Sequence, residues 1–177
     1  MPLTYPLRLE IQYRLSAALR EITIANGFAT DMSGTGSANK VFRGRLIFGD
    51  TDPVPMLSIL DVPIPVDQLP SPADSTVSSG QWELMIQGFA VDDRLNPTDP
   101  AHVLMADVKK RLAQLKKATN WRVDTDGILG LGRHVTGLYI GSGVVRPPDE
   151  ISAKAYFWLN MVLDLAEDLN DPYDAKG

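Results

Sequence analysis

A chain of 177 residues, 44% of them apolar and 22% charged, falls in the ordinary globular range and is long enough to bury a core without a disulfide or metal staple. It has no cysteine, which removes thiol nucleophiles, iron–sulfur clusters, thiolate zinc sites and disulfide frameworks. Its net charge of −5 resides at the end, where residues 149–177 hold Asp149, Glu150, Asp164, Glu167, Asp168, Asp171 and Asp174 against Lys154 and Lys176, so the basic footprint that tight duplex binding demands is missing.

The opening stretch, Met1 to Pro6, has neither the basic nor the apolar region of a secretory leader, and no run approaches the roughly 18 apolar residues of a membrane span. The expected setting is a reducing cytoplasm. From Pro6 to Asn26, Leu7, Ile11, Leu15, Leu19 and Ile22 recur at steps of three and four, which predicts an amphipathic helix stopped by Asn26-Gly27.

Residues 30–53 combine Gly34, Gly36, Gly44 and Gly49 with an extended run, Val41 to Phe48, and read as an arm or hairpin spanning about 32–52. Pro55 to Leu60 predicts a first core strand. Residues 62–80, rich in proline and serine, predict a loop. In Gln81 to Val91, Trp82, Leu84 and Ile86 alternate with Glu83, Met85 and Gln87, the period of a half-buried strand.

Asp99-Pro100 then forms an N-cap with proline at the first helical position, opening a helix over about 100–118 with Leu104, Val108, Leu112 and Leu115 on one face. Its lysines, 109, 110, 116 and 117, read as a solvated face that suits the helix dipole. After a loop at 119–133 come a strand at 134–140 and a segment, 151–165, that fits both helical and strand periods. Alternation of Ala155, Phe157, Leu159, Met161, Leu163 and Leu165 favours a long strand. The sum is an α+β class: one domain over 1–177, a mostly antiparallel sheet of about four strands with two helices on one face, an extended arm and an acidic end at 164–177.

Little in the chain suggests catalysis. His102 and His134 are too isolated to form a metal site, and Gly127 to Gly132 neither follows a strand nor opens a helix, as a nucleotide loop would. Asp92 with Asp93, and Asp124 with Asp126, read as loop carboxylates bonding their own backbone. No catalytic, cofactor-binding or metal-ligating residue is expected, and no cofactor.

In order along the chain come Ala25-Asn26-Gly27-Phe28-Ala29-Thr30-Asp31, Val41-Phe42-Arg43-Gly44-Arg45, Asp52-Pro53-Val54-Pro55-Met56-Leu57-Ser58-Ile59, Ile86-Gln87-Gly88, Asn96-Pro97, Asp99-Pro100-Ala101-His102, Asp107-Val108-Lys109 and Asp171-Pro172-Tyr173. Their order and spacing, over nearly the whole chain, resemble the tail terminator (tail completion) proteins of long-tailed bacteriophages. The departures are the longer Pro/Ser loop and the acidic end.

The resemblance implies a non-enzymatic virion protein of the tail and neck, assembled in the bacterial cytoplasm. It implies a homohexameric ring that caps the tail tube protein, ends its polymerisation and offers a surface to the head–tail connector. Genomic DNA would pass through the lumen without specific binding. Expected interface residues are Val41, Phe42, Arg43, Arg45 and Phe48 in the arm, with Asp171 and Tyr173 near the end. The arm is expected to order on assembly and to stand outside the monomer's core, because a glycine-rich polar segment gains too little by folding alone. The rival readings are a head-side connector subunit and a small metal-dependent hydrolase using Asp124 and Asp126.

Overall fold

The computed structural model describes residues 3–49, 51–62, 71–118, 127–150 and 152–174. The carboxylates at 124 and 126, and much of the expected Pro/Ser loop, lie outside these residues. The first helix, α1, runs Leu7–Arg20 and buries Leu7, Ile11, Leu15 and Leu19 at the predicted spacing. It ends earlier than expected: Gly27, at φ +79°, closes a separate short 3-10 turn, Ile24–Asn26. Pro6 lends α1 no side-chain cap, and the Leu7 N–H is instead satisfied by the Pro172 carbonyl at 3.0 Å.

The strands are β1 (Val41–Arg43), β2 (Met56–Asp61), β3 (Val77–Phe89), β4 (Val135–Ile140), β5 (Val144–Arg146) and β6 (Tyr156–Asp168), with α2 (Asp99–Ala118) between β3 and β4. They form one six-stranded sheet in the order β1-β2-β3-β6-β4, with β5 also paired to β6. Every pairing is antiparallel except β1 with β2. No described helix is long and apolar enough to cross a membrane.

The segment with two readings is thus a strand: β6 pairs with β3 from Tyr156 opposite Phe89 to Asp168 opposite Val77. Register sorts its side chains into two faces. Phe157, Leu159, Met161, Leu163 and Leu165 join Leu57, Ile59, Trp82, Leu84 and Ile86 in one core with the apolar stripes of α1 and α2. The expectation of two helices on one face is met. The opposite, outer face carries Met56, Phe89 and Tyr156 at one end, in a smaller cluster of their own.

Two expectations need correction. The sheet has six strands among the described residues rather than about four. The extra ones, β1 and β5, are three residues each and too short to show a period. Part of the expected 62–80 loop, Val77 to Gly80, is also strand, because the far end of β6 completes its backbone ladder despite a polar sequence.

The arm also differs. Met32 and Val41 are fully buried in the main core, and β1 is tied into the sheet by Leu57 N–H to Lys40 O at 2.7 Å and Gly44 N–H to Ile59 O at 2.8 Å. The glycines that suggested flexibility make tight turns. A Cβ on Gly34 would lie 1.6 Å from the Ala38 carbonyl oxygen, and Gly44 takes φ +67° where the chain leaves β1. The arm therefore orders within the monomer, and its base belongs to the core.

Candidate functional site

After Gly44 the chain folds over the outer face of the sheet. Ser58, whose side chain points outward from β2, donates to the Arg45 carbonyl at 2.7 Å. The Arg45 guanidinium lies 4.6 Å from the Phe42 ring centre and 4.8 Å from that of Phe48, and its Nη2 reaches both Asp52 carboxylate oxygens at 2.7 Å. Asp52 also accepts the Gly49 N–H at 2.7 Å, and these two donors hold its carboxyl below the ordinary carboxylate range, Gly49 contributing most. Phe48 then packs against Phe89, centre to centre 4.8 Å, and Phe89 against Tyr156 at 5.9 Å.

This bracing leaves the tip out. Leu46 is 70% exposed and Ile47 86%, although both neighbours in the chain are anchored. They are two adjacent large apolar side chains in water, at the rim of the space beneath the arm.

Of the expected interface residues, Val41 is core and unavailable to a neighbour. Arg43 is spent inside the monomer: its guanidinium stacks 3.7 Å over the Tyr13 ring of α1 and donates to Ser16 Oγ at 2.8 Å. Phe42, Arg45 and Phe48 are brought together as the brace. Asp171 and Tyr173 lie far from it, where the chain's last described turn holds the beginning: the Tyr173 carbonyl accepts the Leu3 N–H at 2.8 Å, and the Tyr173 side chain is half exposed.

Sequence reasoning overlooked Leu46 and Ile47 as the exposed pair. It also overlooked Asp107, a buried α2 carboxylate that takes the Ala29 N–H at 2.9 Å, and the Thr30 N–H and Oγ1 both at 2.8 Å. Asp107 fixes the root from which the arm departs. The one available signal was a lone acid amid the apolar stripe of a helix.

Beneath the arm is a cavity of about 310 Å³. Phe48, Met56 and Phe89 form its apolar wall, Asp52 and Lys154 stand at its sides, and Gln87 of β3 lies within. Lys154 pairs with Asp92 at 2.5 Å. A second groove, on the helix side of the same end of the sheet, is lined by Ile24, Val91, Pro100, Val103 and Leu104 among others. Ile24, Val91 and Val103 are exposed there.

The two histidines stay apart, His102 exposed on α2 and His134 buried with Nδ1 3.0 Å from the Ala166 carbonyl. Among the described residues no three His, Asp or Glu side chains cluster as a metal site would require. The lysines of α2 are less solvated than expected: Lys110 donates to the Gly27 carbonyl at 2.6 Å and lies over Phe28, and Lys116 lies over Tyr139. Asp93 behaves as expected of a loop carboxylate, accepting the Leu95 and Asn96 N–H groups at 2.8 and 3.0 Å. No protein-family model matches this chain, and no curated protein matches it.

Proposed function

We propose that this chain is a structural subunit of a phage tail, of the tail-terminator class. It builds a closed homohexameric ring on the end of the tail tube, stops tube growth and offers the other side to the head connector. The observation that carries the reading is the arm: a loop fixed by Arg45 and Asp52 so that Leu46 and Ile47 project into water. An assembly subunit would bury such a tip on a neighbour.

The arrangement also suits a ring. The tip lies over the outer face of the sheet and the apolar groove lies on the helix side, so copies meeting tip to groove use two different surfaces. Such heterologous contacts close into rings when the rotation permits. The order of motifs along the chain supports the phage assignment independently. Six copies at −5 give a ring of about −30, which repels duplex DNA and lets it pass.

The test is electron microscopy of the purified protein mixed with isolated tail tubes and, separately, with filled heads. Rings seated on tube ends are expected. Rings that bind only filled heads identify a head-side connector, and a monomer with metal-dependent turnover overturns the assembly reading.

A further inference from the structure

We infer that Lys109 and Lys116 of α2 close the open edge of the sheet to strand pairing with a second copy of this chain. The inference stands on the sheet and α2 alone. Its consequence for the ring, that subunits join through side chains such as Leu46 and Ile47 and not by extending the sheet, rests on the assembly reading.

Among the described residues the sheet ends in β1 on one side and in β4 and β5 on the other. The outermost strand of a sheet turns N–H and C=O groups away from its neighbour, and these are a template on which another chain can pair. β1 covers its own. Lys40 O and Gly44 N–H bond to β2, which leaves Val41 facing outward. The Val41 N–H donates to Asn39 Oδ1 at 3.3 Å, and its carbonyl accepts from Arg20 Nη2 at 3.2 Å.

The other edge is longer, and its own sequence gives it no such protection. β4, the turn at 141–143 and β5 follow one another along β6, and Val135 to Val145 contains no charged residue. The Gly141 N–H donates to Asn160 O, so by the alternation of an antiparallel ladder Leu138 and Ile140 turn their backbone groups outward. Tyr139 is 49% exposed and Val144 54%. An uncharged edge rich in β-branched and aromatic residues is the kind that pairs with its own copy, because identical neutral segments meet without repulsion.

α2 supplies the missing charge. Met105, Lys109 and Lys116 fall on one stripe of the helix, and that stripe runs beside the edge. A Cβ on Gly143 would stand 2.6 Å from Met105 Sδ, Lys109 Nζ donates to the Ser142 carbonyl, and Lys116 Nζ lies 5.7 Å from the Tyr139 ring centre. α2 packs on the inner face with Leu138, whereas Tyr139 points to the outer face and donates to Asp164 at 2.8 Å. Lys116 therefore reaches from one face to the other, and its side chain passes around β4, the outermost strand between them. Two copies paired antiparallel through this edge carry their helices on the same face of the joined sheet. Their lysine stripes then meet at the joint, where like charges repel.

The test compares the full native chain with the double variant Lys109→Gln, Lys116→Gln and with a control, Lys110→Gln, Lys117→Gln, which removes the same charge from another stripe of α2. Amide hydrogen exchange at Leu138 and Ile140 is followed at low and high protein concentration, with sedimentation velocity on the same samples. In the native chain and the control these amides should exchange at a rate independent of concentration. In Lys109→Gln, Lys116→Gln they should slow about tenfold once roughly nine in ten copies are paired, with larger species in sedimentation. Should that variant fail to fold, Lys116→Gln alone keeps the Lys109 bond to Ser142 and should show the same slowing at higher concentration. Exchange in the variants as independent of concentration as in the native chain overturns the inference. So does equal slowing in the control, which would make the net charge of α2 the cause, or slowing in the native chain, which would put a second copy on the edge already. A native chain that stays monomeric with these rates unchanged removes the ring reading and leaves the guard in place, so the two failures read differently.

Discussion

Arg45 Nη2 lies 2.7 Å from each carboxylate oxygen of Asp52, and this pair ties Arg45, just past β1, to Asp52, which leads into β2. Both partners belong to the arm, so the pair shapes the loop without bearing on the core. Asp52→Asn should therefore leave the unfolding transition near its native position but raise hydrogen exchange at Gly49, whose N–H Asp52 accepts. Acid should do the same. The Asp52 carboxyl is held below its ordinary value, so its contribution is present above about pH 4 and is lost as pH falls through the lowered value. Exchange at Gly49 measured from pH 6 to pH 3 should show release only at the acid end, and a release between pH 5 and 6 would rule Asp52 out as the latch.

On the opposite side of the arm's root, Asp107 replaces several absent backbone partners at once. Asp107→Ala removes the charged acceptor of the Ala29 and Thr30 N–H groups, a loss of about 1 kcal/mol for each hydrogen bond to these partly exposed donors. Urea unfolding is the measurement, and a midpoint equal to the native one would mean that water serves these groups as well.

The pairing of Gly88 with Phe157 sets a steric limit in the middle of the sheet. A Cβ at position 88 would stand 2.1 Å from Phe157 Cε1 and 2.9 Å from Leu57 Cδ2. Gly88→Ala should then cost about 1–3 kcal/mol, as overpacking of a filled core does. Phe157→Asp should unfold the protein, because an unpaired carboxylate in that core costs several kcal/mol. Trp158→Asp, on the outer face and only half buried, should leave it folded. Equal damage at 157 and 158, read by circular dichroism, would contradict the two-faced sheet.

The strands were legible wherever a side chain period of two ran long enough, as in β6, whose five inward apolar positions, Phe157 to Leu165, outweighed a competing helical spacing. Gly27 was legible as a stop but not as the stop of a separate turn, since a left-handed glycine terminates either. Partners distant in sequence were not legible. Val41 reads alike as arm or core until β2 is known to lie beside it in parallel, and Arg43 as free cation or stacked one until Tyr13 is beneath it. Gln87 looked like the polar half of an alternation, and the arm passing over the outer face leaves the residue only 8% exposed. Because Val41 is core, replacing residues 34–48 with a Gly/Ser linker should unfold the chain or lower its midpoint sharply. A linker variant that melts like the native protein would return the whole arm to the surface.

The central claim is that the tip formed by Leu46 and Ile47 joins one subunit to its neighbour while the base of the arm belongs to the fold. The most direct measurement is sedimentation velocity on native protein and on the double variant Leu46→Asp, Ile47→Asp, with thermal unfolding of both. Both side chains are largely in water in the single chain, so the variant should melt within a few degrees of the native protein, as surface substitutions do. The native protein should sediment as a closed ring and the variant as a monomer. A variant that still forms the ring, or a native protein that stays monomeric at every concentration and on tail tubes, would contradict the account.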